Sequence, residues 1–65
     1  MILVDWEYRP AVMVGVRAFA ILGPGEGWTE VEPAEVADSG NVVSPEEFAS
    51  RFGALPPLPS TVAEA

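Results

Sequence analysis

The sequence predicts a small α+β domain: an antiparallel sheet of two or three strands, one short C-terminal helix and an extended proline-rich tail. Three observations lead there. Residues 2–8 alternate apolar and polar side chains with period two, and a β-rich apolar run follows at residues 11–22. Ser44-Pro45-Glu46-Glu47 has the residue order of a helix start. Pro56, Pro57 and Pro59 fall close together and force an extended, polyproline-type chain. At 65 residues the chain is long enough for one domain, read as a folded part at 1–53 and a tail at 54–65.

In the first strand, residues 2–8, Ile2, Val4, Trp6 and Tyr8 share one face; Leu3, Asp5 and Glu7 share the other. Pro10 cannot donate to a ladder, so it marks a turn, an edge or a strand start. The second strand, residues 11–22, would carry Val12, Val14, Val16, Ala18, Ala20 and Leu22 on one face. Met13, Gly15, Arg17, Phe19 and Ile21 would occupy the other. Both faces are largely apolar, the pattern of a strand buried on both sides. A chain this short has little material to cover both. Gly15 reads as a bulge or a close backbone approach.

Gly23-Pro24-Gly25-Glu26-Gly27 is a loop, and Trp28–Glu32 is a third short strand that pairs with the second. Pro33 ends it, and residues 33–38 read as one helical turn with proline first. Ser39-Gly40-Asn41 reads as a turn, and Val42-Val43 as extended. The helix over residues 45–52 has the fullest set of local signals. The Ser44 hydroxyl can accept from the Glu47 N–H while the Glu47 carboxylate reaches back, and Val43 and Phe48 have the spacing of a hydrophobic staple. Glu46 and Glu47 suit the positive end of the helix dipole, Arg51 suits the negative end, and Gly53 is placed as the C-terminal cap. Phe48 and Phe52 share a face. Two turns do not persist alone, so these rings must pack on the sheet.

Composition limits the chemistry. Ten acids and three arginines give a net charge of −7, and Lys, His and Cys are absent. Without Cys there is no disulfide and no thiolate metal site. Without His the commonest general base is missing, and serine–histidine and cysteine–histidine nucleophile pairs are impossible within the chain. No catalytic, cofactor-binding or metal-binding residues are therefore expected. A domain of about 60 residues is marginal and commonly needs a staple. With the usual staples absent, a protein partner or a homo-oligomer is the expected substitute.

The acidity excludes a phosphate-neutralising footprint, so no direct nucleic-acid binding is expected. It also opposes an anionic membrane surface. The apolar run at 11–22 is interrupted by Arg17 and falls short of the ~20 residues a spanning helix needs. Asp5 and Glu7 stand where a signal peptide carries basic residues, so the expected location is the cytoplasm or a virion.

The remaining motifs resolve toward plain readings. The Gly23, Gly25, Gly27 spacing is not a phosphate loop, because a strand follows, Lys is absent and Glu26 would repel the anion. A calcium loop starting at Asp38 fails at Gly40. Paired carboxylates for glycoside hydrolysis would need a concavity that so short a chain rarely supplies. Pro56 and Pro59 have P-x-x-P spacing, but Arg51 is too distant to be the flanking cation of an SH3-type ligand. The tail reads as a strap over the chain's own apolar surface or over a neighbour. The aromatic residues read as core. Glu26, Glu30, Glu32, Glu35, Asp38, Glu46 and Glu47 lie between Arg17 and Arg51 without an intervening base. They form either a solvated face or a mimic of a nucleic-acid backbone.

The expected function is a non-enzymatic structural or interaction protein that packs into a larger assembly. Excess apolar β surface and an open sheet edge carry that expectation, since an edge is a template for strand addition. The candidate contacts are Ile2, Val14, Phe19, Ile21 and Leu58. Arg in place of Lys, with abundant Ala, Gly and Pro, is what GC-rich codons produce. The most concrete version is therefore a small phage virion accessory protein: capsid cement, minor capsid or connector. The alternative is an acidic inhibitor or regulator of the DNA-mimic type, which occupies a partner's basic groove through Glu26, Glu30, Glu32, Glu35 and Asp38. Ionic binding would weaken with salt, whereas apolar association would persist.

Overall fold

The computed structural model of the chain describes residues 1–57. Along it run β1 (Ile2–Trp6), β2 (Arg9–Val14), β3 (Arg17–Ala20), β4 (Thr29–Val31), α1 (Pro33–Ser39), β5 (Gly40–Val42) and α2 (Pro45–Phe52). All strand pairs are antiparallel, and the five strands lie in the order β4-β3-β2-β1-β5. This corrects the expected fold. The sheet has five strands, not two or three, and two short helices accompany it, not one.

The largest difference is at residues 11–22. The run does not continue as one strand but folds back at Gly15-Val16, where Val14 pairs with Arg17. Gly15 has φ +59° and Val16 stays in the negative-φ region, the arrangement of a type II′ hairpin with glycine first. One glycine suffices for that turn, and Val16 sits at its tip, 88% exposed. Folding back also changes which residues share a face. Ala11 now pairs with Ala20 and Val12 with Phe19. The parity expected for a continuous strand would have put Val12 with Ala18.

Both faces find cover within the chain. On one, Val4, Ala11, Ala18 and Ala20 pack with Val36 of α1, flanked by Trp6, Met13 and Val31. On the other, Val12 and Phe19 pack with Leu3, Val14 and Trp28. α2 lies against β1 and β2 on this second side, with Phe48 buried and Phe52 edge-on to it at 5.1 Å between ring centres.

Residues 33–39 make a full helix because the chain must return from the β4 edge to the β5 edge. Crossing the alanine-rich face buries Val36 on the way. The helix ends at Gly40, whose N–H donates to the Val36 carbonyl. A Cβ at Gly40 would overlap both the Val4 Cγ1 and that carbonyl oxygen, so only glycine lets the helix end and β1 meet here. The expected turn at Ser39-Gly40-Asn41 is thus the start of β5. It pairs with β1 through Asn41–Asp5 and Val42–Val4.

α2 has the expected bounds. The Glu47 N–H donates to Ser44 Oγ at 3.1 Å, while the Glu47 carboxylate turns to Arg51 instead of back to Ser44. Gly53 closes the helix with φ +70° and donates its N–H to the Ala49 carbonyl at 2.8 Å. Beyond it the chain runs past Trp28, whose Nε1–H donates to the Pro56 carbonyl at 3.1 Å. Leu58 and Pro59 lie outside the described residues. Among those described, no helix is long and apolar enough to cross a membrane.

Replacing Gly40 by Ala is expected to destabilise the fold by about 1–3 kcal/mol, the usual cost of forcing an atom into a packed interior. Urea unfolding of the Gly40→Ala variant measures this. An unchanged midpoint would show that the helix end does not approach β1 so closely.

Candidate interaction site

The turn between β1 and β2 is closed by the Trp6–Arg9 pair and contains only Glu7 and Tyr8. Both have positive φ, +51° and +68°. A two-residue turn with both central residues left-handed is the type I′ geometry, which normally takes Asn-Gly. An ordinary L-residue there costs about 1–2 kcal/mol. Here the two residues are glutamate and tyrosine.

Asp5 holds the turn in place. Its Oδ1 accepts the Tyr8 N–H at 2.9 Å, and its Oδ2 accepts from Arg51 Nη1. Asp5 is only 7% exposed. The other arm of the Arg51 guanidinium donates to Glu47 one turn earlier on α2. The hydrogen bond to Asp5, then that to Glu47, raises the pKa of Arg51 above its ordinary value. The cation is therefore permanent. A single carboxylate thus fastens the turn and the last turn of α2 to the same point on β1.

Held this way, Tyr8 stands 93% exposed. It forms one wall of an open cleft of about 360 Å³ lined also by Arg9, Pro10, Ile21, Leu22, Phe52 and Leu55. A second hollow, also of about 360 Å³, lies between Tyr8, Phe52, Asp5 and Arg51. A third of about 420 Å³ continues from Ile21 and Leu55 along Pro24 and Glu26 to Pro56. Because neighbouring hollows share walls, they form one shallow run across this end of the sheet.

The expected contact residues are not gathered here. Ile21 lines the cleft. Ile2 is 48% exposed but sits at the other end of β1, opposite Met13. Val14 is half-buried against the Val12–Phe19 cluster, in which Phe19 is 3% exposed. Leu58 lies outside the described residues. Tyr8, Leu22, Phe52 and Leu55 were not singled out by sequence. The alternation at residues 2–8 assigned Tyr8 to the same face as Trp6, and only the break at Arg9-Pro10 hinted at a turn.

The two sheet edges are short. β4 and β5 have three residues each, which leaves little backbone for strand addition. β4 is also fastened from within: Arg17 donates through Nε and Nη2 to the two Glu30 oxygens at 2.9 and 2.8 Å. The hydrogen bond from Arg17 holds the Glu30 carboxyl below its ordinary range. Of the carboxylates expected on an acidic face, Glu30 and Glu47 are therefore committed to arginines of the same chain. Glu32, Glu35 and Asp38 are exposed at the start of α1 and along it. Among the described residues, no group of three or more acids is placed to hold a metal ion.

No protein-family model matches this chain, and no curated protein or solved structure matches it.

Replacing Glu7-Tyr8 by Asn-Gly is expected to stabilise the fold by about 1 kcal/mol, the left-handed strain less the added entropy cost of glycine. The urea midpoint of the E7N/Y8G variant should rise. A fall would mean that the Glu7 and Tyr8 side chains support the fold and that the turn stores no strain.

Proposed function

We propose that the chain is a non-enzymatic protein-interaction module, built into a larger assembly through the turn end of its sheet. One observation carries this reading: an almost fully exposed tyrosine occupies a left-handed position that a glycine would fill more cheaply. Strain of this kind persists where the surroundings impose it, and it clusters at binding and catalytic positions. Tyr8 gives the isolated fold no burial in return. It does present a large, stiff, amphipathic side chain beside an apolar cleft, the combination that anchors protein interfaces.

The rest of the surface favours the same end. Both faces of the sheet are occupied by α1 and α2, and both edges are short. The absence of His and Cys, together with the open shape of the hollows, favours a docking role over catalysis. The specific version, a small virion accessory protein, rests on size and composition.

The test is affinity capture from the native source with the wild-type chain and a Tyr8→Ala variant as baits, circular dichroism serving as the folding control. The variant keeps a Cβ and the turn. Wild type is expected to retain a stoichiometric protein partner that Tyr8→Ala loses by about tenfold or more, as for an interface anchor. Equal retention by both baits would refute the role given to Tyr8.

A further inference from the structure

We propose that Trp28 and the loop at residues 23–27 form a recognition site for an extended leucine–proline segment, which the chain closes with its own Leu55-Pro56. The segment is a displaceable strap, an autoinhibitory contact and not a part of the core. The inference concerns the far end of the run of hollows and stands whether or not Tyr8 anchors a partner.

The occupant is seated in the structure. Trp28 donates its Nε1–H to the Pro56 carbonyl at 3.1 Å. Leu55 is half-buried and lines both the cleft beside Ile21 and the third hollow, whereas Ala54 and Pro56 are exposed. This is the chemistry by which proline-rich segments are recognised. A polyproline-type chain makes no internal hydrogen bonds, so its carbonyls are free to accept, and it arrives already extended, at little entropy cost. An indole meets it with one N–H donor and a flat apolar wall.

The receiving surface is built independently of the segment. Trp28 packs on the Val12–Phe19 cluster. The loop before it is a closed turn: the Glu26 N–H donates to the Gly23 carbonyl at 3.2 Å, with Pro24 second and Gly25 third at φ +76°. These are the residues and the positive φ of a type II turn, so this wall is stiff before anything sits on it. The strap is held more lightly. Among the described residues, one hydrogen bond and the Leu55 side chain seat it, and it leaves α2 through Gly53, where φ is +70°. Tethered so closely, it has an effective concentration on the order of millimolar, which closes the site to weak competitors and leaves it open to strong ones.

The test is NMR on the isotope-labelled full chain as wild type, Leu55→Ser and Trp28→Phe, read at the Trp28 indole N–H and the Gly25, Glu26 and Gly27 amides. The β1, β2 and β3 amides are the folding control. The probe is acetyl-Ala-Leu-Pro-Pro-amide, the sequence of residues 54–57, and the control is acetyl-Ala-Leu-Ala-Ala-amide. Leu55→Ser is expected to move the Trp28 indole resonance, and the probe to return it toward its wild-type position. The probe should bind Leu55→Ser about tenfold tighter than wild type, because the tethered strap no longer competes. Trp28→Phe, which keeps apolar packing but lacks the donor, should lose that binding. An indole resonance unmoved by Leu55→Ser would overturn the strap. Equal binding to wild type and Leu55→Ser, equal binding of probe and control, or no binding at millimolar concentration would overturn the recognition site. Concentration-dependent indole shifts in wild type without any probe would overturn the seating within one chain and place the segment on a second copy.

Discussion

The structure depends most on one carboxylate. Among the described residues Asp5 is the one buried charge, and three parts of the chain meet on it: β1, which carries it, the Glu7-Tyr8 turn and the end of α2. Burying a charge is costly unless hydrogen bonds and an opposite charge offset it, and both are supplied here. Arg51 comes from far along the chain, so the pair acts as a long-range cross-link where no disulfide can form. Phe48 and Phe52 alone would hold α2 only by non-directional burial. The ion pair fixes its angle and, through the second oxygen of Asp5, fixes the turn. Arg17 and Glu30 do the same for β4 at the other edge.

The second requirement is close approach. Ala11, Ala18 and Ala20 keep one sheet face low, and Gly40 removes the last obstruction where α1 ends beside β1. α1 can therefore return across the sheet and deliver β5 to its far edge. That crossing is how so short a chain covers both faces of its sheet. The apolar run at 11–22 looked like surface in need of a partner. Once it folds back on itself, its two halves line both faces, and α1 and α2 cover them. The case for a partner then shifts from unburied β surface to a single strained turn.

How far the sequence was legible follows from how local each cause is. α2 was readable to its bounds, because the Ser44 cap, Pro45 and the Gly53 terminus act within the helix itself. The hairpin at Gly15 was hidden because a II′ turn needs only one glycine and Val16 is a strand former. The turn at Glu7-Tyr8 contains no turn residue at all. What imposes it is Asp5, itself held by Arg51, a contact with a sequence separation of 46. β5 was legible only as an extended Val42-Val43, and its start at Gly40 and its pairing were hidden because its partner, β1, is at the other end of the chain. The candidate site inherits these gaps. Alternation placed Tyr8 beside Trp6 in a strand, and only the tertiary fold turns it outward. Phe19 looked like contact surface because its neighbours across the hairpin could not be known.

The most direct test of this account is site-resolved hydrogen exchange on an Asp5→Ala variant. Alanine removes both oxygens, the one that accepts the Tyr8 N–H and the one that accepts from Arg51. If one carboxylate fastens both elements, the amides of α2 and the Tyr8 amide should lose protection together, while those of β2 and β3 keep theirs. Protection unchanged at both α2 and the turn would contradict the claim that the fold is organised around Asp5.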